Sequence, residues 1–165
     1  MKIGRIFRHL FTFKGRMRRT FDAATRAAIQ EAITASEKTH RGEIRFAVES
    51  RLDLRSLMAG ETADQRALEV FGGLGVWDTE ENSGILVYVL LADHHVAIVA
   101  DRGYREKVTH EEWRAVCARM EEACRDGEFR RAAVEGVLGA ARHAAEHFPL
   151  EGHGPNELPD AVVFL

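Results

Sequence analysis

The sequence predicts an α/β fold: a three-layer α/β/α sandwich with a small mixed sheet containing one antiparallel hairpin. Three observations carry this expectation. Two apolar runs, Gly84–Leu91 and Val96–Ala100, flank a polar tip, Ala92-Asp93-His94-His95, as the arms of a hairpin would. Both runs are apolar on both faces, and strands buried on both sides need helices above and below the sheet. A third run, "EIRFAVE" at residues 43–49, alternates strictly, with Ile44, Phe46 and Val48 on one face and a polar opposite face.

The elements follow in order. Residues 1–19 hold seven Lys/Arg and no acid, so the remainder carries 16 Lys/Arg against 26 Asp/Glu, a net of −10. In this basic leader Arg8, Thr12 and Lys14 interrupt the apolar residues, which excludes a secretory signal core. Ile6, Leu10, Phe13, Met17 and Phe21 trace one helical face. Such a basic amphipathic helix suits an anionic membrane surface. The alternative is a first helix packed on the body with its arginines solvated. A basic arm on an acidic body is a poor footprint for nucleic acid, so no nucleic-acid partner is expected.

Thr20 and Asp22 introduce a helix from Ala23 to about Glu37, with Ile29 and Ile33 on its apolar face, ended by His40-Arg41-Gly42. After the first strand, Gly60 and Thr62 open a helix that runs to about Phe71 and closes at Gly72-Gly73. Thr109 and Glu112 have capping-box spacing and start a helix striped by Trp113, Val116, Cys117, Met120 and Cys124. A last helix runs from Glu128 to about His147, and the Pro- and Gly-rich tail reads as an extended, surface-following segment. The organisation is a leader (1–19), one domain (20–149) and a tail (150–165), a length sufficient for one self-contained core.

Several function classes recede. Cys117 and Cys124 lie seven residues apart on a helical pattern, a rise of about 10 Å, too far for a mutual disulfide. They read as buried apolar groups, and nothing points to an oxidising compartment. No apolar run reaches the roughly 18–20 residues of a membrane span. Glu49-Ser50-Arg51-Leu52-Asp53, after the first strand, contains no glycine to cradle a nucleotide phosphate.

The hairpin supplies the candidate site. With Asp93 and His94 as turn residues, Ala92 pairs with His95, Leu86 with Asp101 and Gly84 with Gly103, subject to a slip of one or two. The loop Glu80–Ser83 and the segment Asp101–Tyr104 then emerge side by side. Glu80, Glu81, Asn82 and Asp101 would offer oxygen ligands to calcium or magnesium. The plainer alternative is solvated loop acids, with Asp101 and Arg102 as a structural ion pair.

This hairpin, "VWDTEENSGILVYVLLADHHVAIVADRGY", with upstream "HRGEIRFAVE" and downstream "THEEW", resembles the TPM domain family over about residues 37–148. The resemblance implies a compact α/β/α sandwich and, in some members, calcium or similar ions at acidic loops beside the sheet. It also implies accessory roles in assembling or repairing membrane complexes, and phosphatase activity has been proposed for a plant member. The usual family motif reads Asp-Asn-Gly entering the middle strand. Asn82 and Ser83 stand where Asp and Asn would be, which removes one formal charge. Relatives often carry a signal peptide, a transmembrane segment or a glycine-rich tail; without them this chain is expected to be cytoplasmic and free-standing.

Two other constellations compete. "HAAEH", His143 to His147, matches the H-x-x-E-H pattern of inverted zinc peptidases, with Glu146 as base and His153 or Glu157 as the distant third ligand. Helix-end histidines are otherwise explained by the macrodipole. His94 and His95 read as an exposed polar tip rather than a shared metal site. The leading expectation is a non-catalytic accessory or binding module with an unidentified protein partner and a weak calcium or magnesium site. The alternatives are a metal-assisted phosphomonoesterase using Asp78 and Asp101, and a membrane-surface adaptor acting through residues 1–19.

Overall fold

A computed structural model describes residues 3–12, 14–150 and 156–165. In chain order the elements are α1 (Ile3–Phe11), α2 (Lys14–Thr20), α3 (Ala23–Ser36), β1 (Glu43–Glu49), α4 (Leu54–Ala59), α5 (Ala63–Gly73), β2 (Gly84–Leu90), β3 (His95–Ala100), α6 (His110–Arg125), α7 (Phe129–His147) and β4 (Val163–Phe164). The sheet order is β3-β2-β1-β4. β1 runs parallel to β2 and to β4, and β2 pairs antiparallel with β3. One face packs on α3, α6 and α7 through Ile44, Phe46, Val48, Ile85 and Val87. The other packs on α4 and α5 through Ala47, Leu86, Tyr88 and Leu90. This is the expected three-layer α/β/α arrangement.

Helix starts follow local chemistry. Asp22 caps α3 by accepting from Thr25 N–H at 2.8 Å, and Asp53 caps α4 by accepting from Ser56 N–H at 2.8 Å. Thr62 with Gln65 and Thr109 with Glu112 close capping boxes at the starts of α5 and α6. α4 is absent from the sequence reading, because six residues are too few for hydrophobic periodicity to register.

Four expectations change. The hairpin tip is longer than two residues: Leu91–Asp93 form a 3-10 turn and His94 follows at φ 52°. The register therefore slips by two, pairing Leu90 with His95, Leu86 with Val99 and Ile85 with Ala100. The tip is also anchored, since Ala92 N–H donates to Ser50 O at 3.1 Å. Second, the polar face of β1 is not solvated; Glu43, Arg45 and Glu49 are all buried. Glu49 accepts from Arg66 Nε at 2.9 Å and from the Tyr88 hydroxyl at 2.7 Å, so its charge is paired inside the α5 layer. Third, the tail is more than a surface strap, because β4 joins the sheet beside Ala47 and Val48.

The fourth change concerns the leader, which is two helices rather than one face. Met17 and Phe21 are buried in the core, whereas Leu10 is exposed and Phe13 lies outside the described residues. α1 is fastened to the hairpin tip. Arg5 donates to both oxygens of Asp93 (Nε 3.1 Å to Oδ1, Nη2 2.6 Å to Oδ2) and to Glu61 O at 2.6 Å. His9, 1% exposed, bridges Asp93 at 3.0 Å and accepts Leu52 N–H at 3.0 Å. Burial opposes the Asp93 charge, but the Arg5 and His9 bonds prevail and hold its carboxyl below the ordinary value.

Tyr88→Phe should leave Glu49 with Arg66 alone. The expected loss is about 1–3 kcal/mol, read as a lower urea midpoint at unchanged m.

Candidate functional site

The parallel pairing of β1 and β2 sets Glu43 opposite Gly84, so the approaches to both strands enter the sheet side by side. β3 leaves at the same edge. Asp101 N–H donates to Gly84 O at 2.9 Å and Gly103 N–H donates to Asn82 O at 3.1 Å. The two acidic connections therefore meet at the hairpin's open end. Ser83, fully buried, knots them together: its hydroxyl donates to Arg41 O at 3.2 Å, and its carbonyl accepts the Tyr104 hydroxyl at 3.2 Å.

Two glycines are required here by close approach. A Cβ on Gly84 would overlap the Val76 carbonyl oxygen. A Cβ on Gly103 would sit 2.5 Å from Asn82 O, 2.9 Å from the Phe148 ring and 3.1 Å from Glu81 O. Asn82 itself adopts φ 54°, a left-handed conformation that Asn tolerates better than most residues.

The four candidate ligands do not share one environment. Glu80 and Glu81 line a cavity of about 110 Å³ together with Glu37, His40, Arg41, Glu43, Leu150, Asn156 and Glu157. Glu81 is ion-paired with Arg41, and Glu80 N–H donates to Glu157 Oε2 at 3.0 Å. Asn82 and Asp101 lie outside that cavity's lining; Asn82 Oδ1 accepts from Arg102 Nε at 2.7 Å, and Asp101 Oδ1 accepts Arg102 N–H at 2.7 Å. Asp101 Oδ2 is buried and has no hydrogen-bond partner among the described residues. Burial raises the Tyr104 hydroxyl pKa, and the charges of Asp101 and Glu81 raise it further, so both carboxylates bear on one phenol.

The cavity is richer in acid than the sequence suggested. Glu43 accepts the N–H groups of Glu157 and Leu158, each at 3.1 Å. Burial, then Glu43, then Asp160 push the Glu37 carboxyl up to about 8. Burial likewise raises Glu43 and lowers His40. Glu37 and Glu43 were not foreseen at this site, and Glu157 was foreseen only as a zinc ligand beside His147, because they come from a helix end, a strand's second face and the tail. The alternation of "EIRFAVE" marked Glu43 as distinct from the core face, but not what would cover it.

The other candidates lie apart. Asp78 is exposed, and its N–H donates to Gly75 O at 3.0 Å. His94 is exposed, whereas His95 is partly buried between Asp64 (3.0 Å) and Glu121 (3.3 Å). Glu157 faces Glu80 rather than His147, and His153 lies outside the described residues.

No curated protein matches this chain. The NMR structure of the BA42 protein from the psychrophilic bacterium Bizionia argentinensis is similar, with a TM-score of 0.72 and 28% identity over 87% of this chain and 94% of that one. The solution NMR structure of the N-terminal domain of a protein from P. gingivalis shares the fold, with a TM-score of 0.59 and 19% identity over 80% of this chain and 82% of that one. The family model described as the TPM domain matches residues 17–143, which span β1, β2 and β3, helices of both layers and the connections that carry Glu80, Glu81, Asn82 and Asp101. The chain belongs to the TPM domain family.

Proposed function

We propose that this domain is a non-catalytic accessory module that binds calcium or magnesium weakly at the rim, anchored on Asp101, with Glu80, Glu81 and Asn82 as the further oxygen donors that turn toward the ion on binding. The observation that carries this reading is the buried Oδ2 of Asp101, an acceptor without a partner among the described residues. Leaving such a group unsatisfied is costly, and a bound cation supplies what it lacks. The donors are all oxygens, the preference of hard cations. Once bound, the ion would neutralise the rim's carboxylates and tie the β2 and β3 connections together. Arg41 and Arg102 already hold Glu81 and Asn82, so the ion competes with them. That places the affinity in the weak range, about 10⁻⁴–10⁻³ M.

A catalytic role has less support. Burial pushes the thiols of Cys117 and Cys124 up to about 11, so neither offers a thiolate near neutral pH.

A second reading, attachment to an anionic membrane surface, draws on α1. Phe7, Leu10 and Phe11 are 55%, 47% and 71% exposed, beside the exposed Arg8. Apolar side chains next to cations suit the headgroup boundary of acidic lipids. Among the described residues no helix is long and apolar enough to cross a membrane.

Calcium titration followed by amide chemical shifts should move residues 79–84 and 101–104, with Asp101→Asn weakening binding about tenfold. Flat shifts at millimolar ion would overturn the cation site. Phosphomonoester hydrolysis lost in the same variant would overturn the non-catalytic role. In sedimentation with phosphatidylserine vesicles, Phe7→Ser/Phe11→Ser should cut the bound fraction about tenfold; equal binding of variant and parent defeats the membrane reading. Deleting residues 1–19 is a poorer test, because it also removes the buried Met17 and His9.

The acid-rich cavity also sets a pH dependence. Glu37 rises from 4.5 to about 8 on folding, so between those values the folded chain binds more protons than the unfolded one. Stability from this group is greatest at the acidic end and is lost as pH rises through about 8. Glu37→Gln should flatten that part of the profile, measured as urea midpoints from pH 5 to 8.

A further inference from the structure

The last turn of α7 carries a second cluster, chemically unlike the rim. His143, Glu146 and His147 each offer one ligand atom, and these atoms all lie within 4.8 Å of one another. Among the described residues this is the only group of three or more His, Cys, Asp or Glu side chains that does so. The spacing explains it, since residues three and four apart share one face of a helix. The site needs no distant ligand, because Glu146 stands as the third donor itself.

The surroundings favour a cation. The His143 ring packs edge-on against Trp113 of α6, with centroids 4.8 Å apart, which fixes the imidazole's orientation. Glu112, also on α6, lies within electrostatic reach of both histidines. Its Oε2 accepts both Thr109 bonds. The turn also ends the helix, where the backbone carbonyls present partial negative charge.

Two imidazole nitrogens and one carboxylate oxygen are donors for a borderline divalent transition ion, not for calcium or magnesium. We propose that His143, Glu146 and His147 form a three-ligand site for a Zn²⁺-class ion, with water completing its coordination. The ion would lock the helix end that precedes Phe148, whose ring lies 4.8 Å from that of Tyr104.

The test uses the full chain stripped of metal with EDTA, then titrated with ZnCl₂ by calorimetry. The expected result is one equivalent bound, weakened about tenfold or more by His147→Gln and by Glu146→Gln, and not displaced by excess calcium. Glu146 is exposed, so Glu146→Gln should fold whatever becomes of the histidine variant. A second readout uses Trp77→Phe, which leaves Trp113 as the sole tryptophan. Cu²⁺ should then quench its emission, and His147→Gln should abolish the quenching. Three results would each overturn the site: zinc binding unchanged in both ligand variants, displacement of zinc by calcium, or no binding at all.

Discussion

β1 and β2 are enclosed on both faces, and this desolvation governs the rest of the molecule. Every residue of both strands is buried, so each backbone amide must find its partner in the sheet and each charge must find one nearby. Glu49 obtains Arg66 and the Tyr88 hydroxyl; Glu43 obtains two amides from the tail. Arg45, whose Nε and Nη1 lack hydrogen-bond partners among the described residues, has the Asp160 charge nearby. Burial lowers its pKa, as desolvation of a cation must. These buried polar groups tie α5 and the tail to particular strand positions, a demand that an all-apolar face would not make.

The two ends of the sheet are covered differently. In open α/β sheets ligands usually gather beyond the carboxyl ends of parallel strands. Here α1 spans that end, with Arg5 and His9 on Asp93 and His9 also holding Leu52. At the opposite rim β1 and β2 begin and β3 finishes. Acids collect there because three connections and the tail must all pass one edge. Their crowding shows in Glu37, which burial and its acidic neighbours hold protonated up to about 8.

Much of this fold was legible from residue patterns. β1 spans residues 43–49 as the alternation indicated, and the Thr109–Glu112 box starts α6 as its spacing required. These features are local, and one turn or one strand contains all the information they need. What stayed hidden depended on distant partners. Nothing near Glu49 in the chain announces Arg66 or Tyr88, and nothing near Asp93 announces Arg5. The hairpin register was off by two because the 3-10 turn at Leu91–Asp93 takes two more residues than a tight turn. Within the candidate site, the meeting of the two connections was foreseeable from hairpin geometry. The engagement of Glu81 by Arg41 and of Asn82 by Arg102 was not.

β4 pairs with only two residues of β1, Ala47 and Val48, and nearer the strand's start the tail is held instead by the Glu43 carboxylate. That clasp has a consequence for behaviour in crowded solution. The outer margin of β1, if unfastened, exposes unpaired backbone groups and becomes a template on which other copies can stack. Two backbone pairs and one carboxylate therefore guard against self-association, and their failure would show first as a dependence on protein concentration.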